Sequence, residues 1–215
     1  MRLNKFIALS TGISRRAADK AISDGRVTLN NKAASIGDIV EDLDEVKIDG
    51  QSISIKNKTT IMLNKPVGYV CSRDGQGSKT VYDLLPANLY NLKPVGRLDK
   101  DSSGLLLLTN DGDLAQKLTH PSFQKQKIYE VTLDKELSDK NYSKVGAGIR
   151  LEDGLSKLEI SKIGPSKYEV KMYEGRNRQI RRTFERLGHR VIKLHRKNFG
   201  AYELNNLKEG MFKNI

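Results

Sequence analysis

A charged turn at residues 97–101 carries the side chains best suited to chemistry. Asp99 and Asp101 stand beside Arg97 and Lys100, and the apolar run 105–109 follows almost at once. A short apolar run bounded by glycine-containing turns is typical of a buried strand. Asp99 is therefore expected on a rigid loop held against the core, and a carboxylate in that setting needs a reason.

Three interpretations of this loop are open. An acidic turn can simply cap a strand, which is the commonest role of such turns. A calcium loop would use Asp99, Asp101 and Ser103, but its twelfth position is Asn110 rather than glutamate. The apolar strand also replaces the helix that should follow, so we set calcium aside. The third interpretation is a catalytic aspartate.

The composition indicates a polyanionic partner. The 215 residues carry a formal net charge of +12, which favours nucleic acid before a membrane. No stretch is apolar and long enough to span a bilayer, and no signal-peptide core follows the first residues. The single cysteine, Cys71, fits a reducing cytoplasm, and three histidines without ligand spacing predict no metal site.

Residues 1–58 have the pattern of a small separate module. The spacing predicts a helix that ends at Gly12, a second helix Arg15–Ser23 with Ala17 on its inner face, and strands Val27–Leu29 and Val46–Ile48. Residues 1–32 hold seven cations and two acids, whereas residues 38–49 hold six acids and one cation. The module should therefore meet phosphates on one side only.

Two cations in that module oppose the local electrostatics. Arg15 and Arg16 stand in the first turn of the second helix, where the helix dipole disfavours positive charge. They are either ordinary solvated side chains or phosphate ligands, and their unfavourable position favours the second interpretation.

The larger remainder begins after a polar linker at residues 56–59. The patterns predict a strand at 61–64, a helix at 113–120, a strand at 125–133 and a hairpin across 156–173. A helix that begins at Asn177 or Arg178 should end near Gly188, and a last strand should cover 190–196.

Two further side chains could share a site with Asp99. Tyr129 lies on the apolar face of its strand, where a core tyrosine is the plainer interpretation. Arg181 falls on the flank of an apolar helical stripe, and a half-buried arginine needs an anion nearby. The other arginines of that helix point away and are equally well explained as solvated: Arg178, Arg182 and Arg186.

Several motifs together resemble one family. Gly-Arg-Leu-Asp at 96–99, followed by residues 103–112, is similar to the signature of the pseudouridine synthases, in the RsuA/RluB/RluF group that modifies ribosomal RNA. The segments 64–68, 127–129 and 174–182 follow the same family. Residues 14–18, 25–30 and 37–38 resemble the RNA-binding S4 domain.

The resemblance implies a role for each candidate residue. Asp99 would be the catalytic carboxylate, Tyr129 would stack on the target uracil, and Arg181 would pair with Asp99. Isomerisation of uridine to pseudouridine gains no atom and changes no oxidation state, so it implies neither cofactor nor metal. The expected RNA-binding residues are Lys5, Arg15, Arg16, Lys20, Arg26, Lys65, Arg97, Lys127, Arg176, Asn177 and Arg178.

We therefore expect an α+β protein of two domains. An S4-type domain would cover 1–58, and a synthase domain with a mixed, mostly antiparallel sheet flanked by helices would cover 59–215. The partner would be ribosomal RNA, as a structured stem-loop or an assembling subunit, met by a cytoplasmic monomer that binds no membrane. Residues 174–179 look more like the large-subunit enzymes, with a small-subunit enzyme as the alternative.

Two other classes of protein stay open. A non-catalytic RNA-binding assembly factor would not require Asp99, Tyr129 and Arg181 to converge. A metal-dependent nuclease could use Asp99 and Asp101, but it would leave Arg181 without a role.

Overall fold

The computed structural model describes residues 1–55 and 57–215. The segment expected as a linker begins at Lys56, which lies outside the described residues. The chain forms two compact units. The first consists of Met1–Thr60, Ala87–Lys93 and Thr109–Asp111, and the second consists of Ile61–Pro86, Pro94–Leu108 and Gly112–Ile215.

The first unit packs two helices on a small antiparallel sheet. Helix α1 ends where Gly12 takes a φ of 84°, and the Ser14 side chain caps α2 by accepting from Ala17 N. The sheet has the order β2-β1-β3-β4. The bounds are α1 Leu3–Thr11, α2 Arg15–Ser23, β1 Val27–Leu29, β2 Lys32–Ala33, β3 Val46–Ile48 and β4 Gln51–Ile53.

The core of this unit confirms most of the predicted inner faces. Ile7 of α1 and the group Ala18, Ala21 and Ile22 of α2 are buried together. Ala17 is exposed, so its predicted place in the core is wrong. Ala18, Ala21 and Ile22 form the inner face of the helix, and Ala17 lies just outside that face.

The second unit is built on one large mixed sheet with the order β11-β12-β8-β13-β7-β5-β15. Strand β13 runs parallel to β7. The pairs β13–β8, β12–β8 and β11–β12 are antiparallel. The predicted mixed sheet is confirmed. The strands of this sheet are β5 Thr60–Lys65, β6 Lys93–Val95, β7 Ser103–Thr109, β8 Lys127–Leu133, β11 Glu159–Gly164, β12 Lys167–Met172, β13 Val191–Phe199, β14 Tyr202–Glu203 and β15 Phe212–Asn214. Strands β9 Ile149–Leu151 and β10 Gly154–Ser156 pair with each other in a separate two-stranded sheet.

Three α-helices accompany this sheet: α3 Gly112–Thr119, α4 Asp139–Ala147 and α5 Gln179–Glu185. The sequence did not predict α4, because it buries only Val145 and therefore lacks an apolar stripe. Helix α5 is shorter than predicted, since Arg178 takes a left-handed backbone conformation, with φ 46°, at its start. No helix in the described part of the chain is both long and apolar enough to cross a membrane.

Strand β7 fixes the position of the acidic loop that precedes it. All its residues are buried, as the apolar run predicted. Gly104 takes a φ of 107°, and a Cβ atom there would lie 2.3 Å from the carbonyl oxygen of Arg196 on β13. Only glycine permits this close approach. The loop that carries Asp99 is thus held firmly at its C-terminal end.

Candidate active site

A cleft of about 530 Å³ opens on the second unit beside strands β8 and β13. The loop 96–102 forms one side, the strands form the floor, and the loop 174–179 forms another side. Asp99, Tyr129 and Arg178 all line it. Residues that are far apart in the sequence therefore converge on one cavity.

Lys65 holds the Asp99 loop from below. Its side chain is completely buried, and Nζ donates to the carbonyl oxygens of Pro66 at 2.9 Å, Asp99 at 3.1 Å and Ser102 at 2.7 Å. Burial lowers the pKa of this lysine, and nearby acidic groups oppose that effect. The prediction that Lys65 binds RNA is wrong, because an ammonium with no exposed surface and three internal acceptors cannot reach a phosphate.

A second contact pins the same loop. The backbone N–H of Leu98 lies 3.4 Å from Sγ of Cys71, and the thiol lies 3.4 Å from the Leu98 carbonyl oxygen. Burial raises the pKa of the Cys71 thiol, which favours its neutral form. Cys71 therefore has a packing role.

Asp101 forms ion pairs with two arginines of the site, Arg178 and Arg181. Its carboxylate accepts from both terminal nitrogens of Arg178, at 3.0 and 2.9 Å. These hydrogen bonds, together with Arg181, hold the pKa of Asp101 below its ordinary value. Because two arginines already pair with the Asp101 carboxylate, it is a poor candidate for the metal ligand of a nuclease.

Asp99 has a different partner from the one predicted. The nearest cation is Arg178, whose Nη1 lies 3.6 Å from Oδ2 of Asp99. The Asp99 carboxyl remains about one third exposed to the cleft. It thus combines a nearby positive charge with access for a substrate.

The predicted contact between Arg181 and Asp99 is wrong. Arg181 is partly buried, as predicted, but its Nε lies 3.3 Å from Oδ2 of Asp101. Its Nη2 donates to the Asp101 carbonyl at 2.7 Å, and its Nη1 donates to Val191 O at 3.0 Å. Helix α5 places Arg181 under the loop rather than beside the carboxylate that faces the cleft. Arg181 is therefore a positioning residue in this structure.

Tyr129 occupies the floor of the cleft on β8. Its ring is 8% exposed and lies on the same strand face as Val131 and Leu133, as the alternation predicted. Within the described residues its hydroxyl makes no hydrogen bond, unlike that of an ordinary core tyrosine. Tyr129 lines the cleft and can therefore contact a group bound there.

The remaining predicted RNA ligands of the second unit differ in availability. Arg97 and Asn177 are exposed at the cleft, whereas Lys127 is half-buried and its Nζ contacts the carbonyl oxygens of Lys125, Tyr173 and Glu174. Arg176 donates to Asp153 O at 2.9 Å and Leu155 O at 2.8 Å. Its guanidinium thus supports the loop 174–179 from within.

The predicted RNA-binding cations of the first unit are exposed, apart from the half-buried Lys5 on α1. Arg16 makes no hydrogen bond or ion pair to any residue in the described ranges. Arg15 donates to Asn4, Lys20 pairs with Asp24 at 3.1 Å, and Arg26 donates to Asp49 at 2.8 Å. These contacts are exposed, so they compete only weakly with a phosphate.

Two functional residues escaped the sequence analysis. Asp101 was considered only as a capping acid or a metal ligand, although it anchors two arginines. Arg196 was assigned only to the last strand, yet it is 2% exposed and lines the cleft. The alternation of β13, which places Arg196 in phase with the apolar Leu194, was the available signal.

Comparisons with known proteins identify the family of the chain. A model of the RNA pseudouridylate synthase family matches residues 59–186, and a model of the S4 domain matches residues 1–46. A crystal structure of a pseudouridylate synthase has a TM-score of 0.73 and 32% identity, and the match covers 100% of this chain and 96% of that one.

Three curated relatives illustrate the sequence similarity. The dual-specificity RNA pseudouridine synthase RluF of Escherichia coli is 37% identical over 219 residues, which cover 100% of this chain and 75% of the relative. Ribosomal large subunit pseudouridine synthase B of Bacillus subtilis is 36% identical over 218 residues, covering 97% and 89%. Ribosomal small subunit pseudouridine synthase A of Salmonella typhimurium is 38% identical over 228 residues, covering 99% and 95%. The chain therefore belongs to the RNA pseudouridylate synthase family, in the RsuA/RluB/RluF group, and combines the isomerase fold of that family with an S4 RNA-binding domain.

Proposed function

We propose that this protein isomerises a specific uridine of ribosomal RNA to pseudouridine, with Asp99 as the catalytic carboxylate. The observation that supports this most directly is the convergence of Asp99 and Tyr129 on one cleft, with Arg178 within 3.6 Å of Asp99. That guanidinium gives the proposed catalytic carboxylate an ion-pair partner at the cleft. The relatives named above act on RNA, and two of them are named for ribosomal subunits.

The cleft suits a nucleotide that has left its helix. Its volume of about 530 Å³ accommodates a nucleoside, and an enzyme that acts on a base must first remove it from the stack. Tyr129 stacks on the uracil, which holds any pyrimidine without choosing among them. Asp99 then faces the ribose and the base from the loop side, where Lys65 and Arg181 keep the loop backbone in place.

RNA affinity comes from cations outside the cleft. We assign phosphate contacts to Arg15, Arg16 and Lys20 of α2 and to Arg97 near Asp99.

We also propose that the chain divides into an S4-type domain over 1–58 and a synthase domain over 59–215. The family matches at 1–46 and 59–186 support this division. The protein acts as a monomer in the cytoplasm, where ribosomal subunits assemble.

The preferred target is the large-subunit RNA, because residues 174–179 follow the pattern of the large-subunit enzymes. Identities of 36% to the large-subunit relative and 38% to the small-subunit relative do not separate the two targets. Mapping pseudouridines in both ribosomal RNAs from cells with and without this gene distinguishes them. A site lost from the small-subunit RNA alone would replace the proposed target with the alternative.

The catalytic assignment is tested with RNA that carries tritium at C5 of uridine. A synthase releases this label without cutting the chain, since C5 loses its hydrogen when it bonds to the ribose. The wild-type protein should release it, and Asp99→Asn should lower the rate by at least about 1,000-fold. Strand cleavage would indicate a nuclease, and RNA binding without release would indicate an assembly factor. Full release by Asp99→Asn would overturn the assignment of Asp99.

A further inference from the structure

Arg196 is a buried cation without a protein anion. Its side chain is the largest of those with almost no exposed surface, at 2%. Nε donates to the Leu105 carbonyl at 2.7 Å, and the guanidinium lies 4.9 Å from the centre of the Phe199 ring. Nη2 is buried without a hydrogen-bond partner. No carboxylate of the described residues forms an ion pair with it.

The surroundings of Arg196 increase its need for negative charge. Lys127 Nζ lies 5.4 Å from the centre of the same Phe199 ring, and the buried Lys65 ammonium also interacts electrostatically with Arg196. Burial first and Arg196 second lower the pKa of Lys127. An unpaired charge in a protein interior is expensive, and neighbouring cations make it more so. The site as it stands is therefore electrostatically incomplete.

The register of the sheet directs this guanidinium toward the proposed uracil site. Arg196 stands directly opposite Tyr129 in the antiparallel pair of β8 and β13, and Phe199 stands opposite Lys127. Residues directly opposite each other in such a pair project on the same face of the sheet. All four residues line the cleft. A base stacked on Tyr129 thus lies beside Arg196.

We propose that Arg196 is a further catalytic residue, whose guanidinium binds a carbonyl oxygen of the extruded uracil and stabilises the negative charge that the ring acquires during the reaction. This inference rests on the proposed function. Hydrogen-bond donors aimed at developing charge in a site without water are among the strongest contributors to catalysis.

The charge arises in a balanced sequence of bond changes. When the C1′–N1 bond breaks, its electron pair leaves with the uracil and spreads over N1, O2 and O4, while the ribose becomes electron-deficient at C1′ beside the Asp99 carboxylate. After the ring turns, a C5 electron pair forms the C5–C1′ bond. The C5 proton passes to solvent water, and N1 takes up one proton from solvent water. Arg196 acts while the ring carries the extra electron pair.

A phosphate is a poorer candidate for this position. Backbone phosphates stay largely hydrated and are met by exposed cations, and Arg97 supplies such a cation at the same cleft. Arg196 lies at the floor with 2% exposure, beside the proposed stacking ring rather than at the surface. The flat, weakly polar edge of a nucleobase matches that depth better than a hydrated phosphate.

The test compares Arg196→Met and Arg196→Lys with the control Arg182→Met. Arg182 does not line the cleft, and its ion pair is with Asp153. Under single turnover with saturating RNA, Arg196→Met should be slower than wild type by about 100-fold or more. Arg196→Lys should recover part of the rate because it keeps the charge, and Arg182→Met should stay near wild type. RNA affinity and its dependence on salt should not change.

A substrate-side measurement distinguishes contact with the base from support of the fold. Placing 2-thiouridine or 4-thiouridine at the target position replaces O2 or O4 of the base with sulfur. Sulfur accepts a weaker hydrogen bond than the oxygen does. One of the two substitutions should slow the wild-type enzyme about tenfold and slow Arg196→Lys much less, because the contact is already weakened there. This comparison uses the charged variant and remains decisive if Arg196→Met does not fold.

Three results would overturn the inference. A folded Arg196→Met that keeps a rate within threefold of wild type would remove the catalytic role. Equal sulfur effects in wild type and Arg196→Lys would leave Arg196 a structural residue. A loss of affinity with a salt dependence reduced by about one phosphate contact would show a phosphate ligand instead. If wild-type protein forms no pseudouridine in either ribosomal RNA, the proposed function itself fails.

Discussion

Arg178 and Asp101 form a two-pronged ion pair, with nitrogen-to-oxygen distances of 3.0 and 2.9 Å, while the same guanidinium lies 3.6 Å from Asp99. Asp101 thereby sets the position from which Arg178 acts on the proposed catalytic carboxylate. Arg181, which is held from the other side of Asp101, fixes the loop beneath. The two acids of this turn thus have separate roles, since one faces the cleft and the other orients the arginines.

Replacement of Asp101 by asparagine should lower kcat by about 10- to 100-fold, because Arg178 and Arg181 lose the charge that orients them. KM for RNA should change less than threefold. Single-turnover and steady-state assays on the same RNA measure both constants. Glu136→Gln is the control, since Glu136 pairs with Lys162 on an exposed surface. An unchanged kcat in Asp101→Asn would show that the arginines do not need this anchor.

The contribution of Asp101 to stability should depend on pH in one direction. Its pKa in the folded protein lies below the ordinary value of 3.8, mainly because of Arg178. The stabilisation is therefore complete above that value and is lost as pH falls through the folded pKa. The difference in urea midpoint between wild type and Asp101→Asn should shrink from pH 7 to pH 3. A constant difference would contradict this linkage.

Lys65→Met should destabilise the second unit. Three carbonyl oxygens would lose their buried donor, and unsatisfied buried acceptors cost about 1–3 kcal/mol each before relaxation. We expect the free energy of unfolding to fall by about 2–5 kcal/mol in total. Denaturation followed by circular dichroism measures this change, with the exposed Lys193→Met as control. Equal stability of the two variants would contradict the anchoring role of Lys65.

Tyr129 can be tested by separating its ring from its hydroxyl. Tyr129→Phe keeps the ring and should bind substrate RNA as wild type does. Tyr129→Leu removes the stacking surface and should lose about 1–3 kcal/mol of binding to the displaced base, or about 5- to 150-fold in kcat/KM. The kinetic comparison of the two variants is direct. Equal losses in both would assign the effect to the hydroxyl.

Arg16→Met should weaken RNA binding in a salt-dependent manner. Loss of one phosphate contact should lower the slope of log affinity against log salt by about 0.7–0.9. Filter binding between 50 and 200 mM salt, at about physiological pH, measures this slope. Lys47→Met is a control with the same change in net charge, at a residue that pairs with Glu45 in the acidic segment. An unchanged slope in Arg16→Met would remove Arg16 from the RNA interface.

Local patterns were sufficient for much of this fold. The bounds of α2, the buried strand β7 and the alternation of β8 follow from spacing, capping and turn residues within a few positions of each element. Asp99 and Tyr129 reach a common cleft as the motif implied. In each of these cases the decisive information lies within one segment of the chain.

Contacts between distant segments were not predictable in the same way. Lysine is almost never fully buried, so nothing near Lys65 indicated that its ammonium would join three carbonyl oxygens. Helical periodicity placed Arg181 on the correct side of α5. The conformation of the loop that carries both aspartates determines that Arg181 contacts Asp101 rather than Asp99. The phase of Arg196 with Leu194 marked it as inward-facing, but its place beside Tyr129 follows only from the register of β8 and β13.

The contact between Gly104 and Arg196 limits how this protein can be altered in the laboratory. A Cβ atom at position 104 would sit 2.3 Å from a backbone oxygen of the neighbouring strand, so even alanine would force the two strands apart. Libraries that aim to redirect the enzyme to another uridine should therefore leave this position fixed. Such libraries should instead vary exposed positions such as Arg97 and Asn177, where a new side chain contacts solvent rather than the packed sheet.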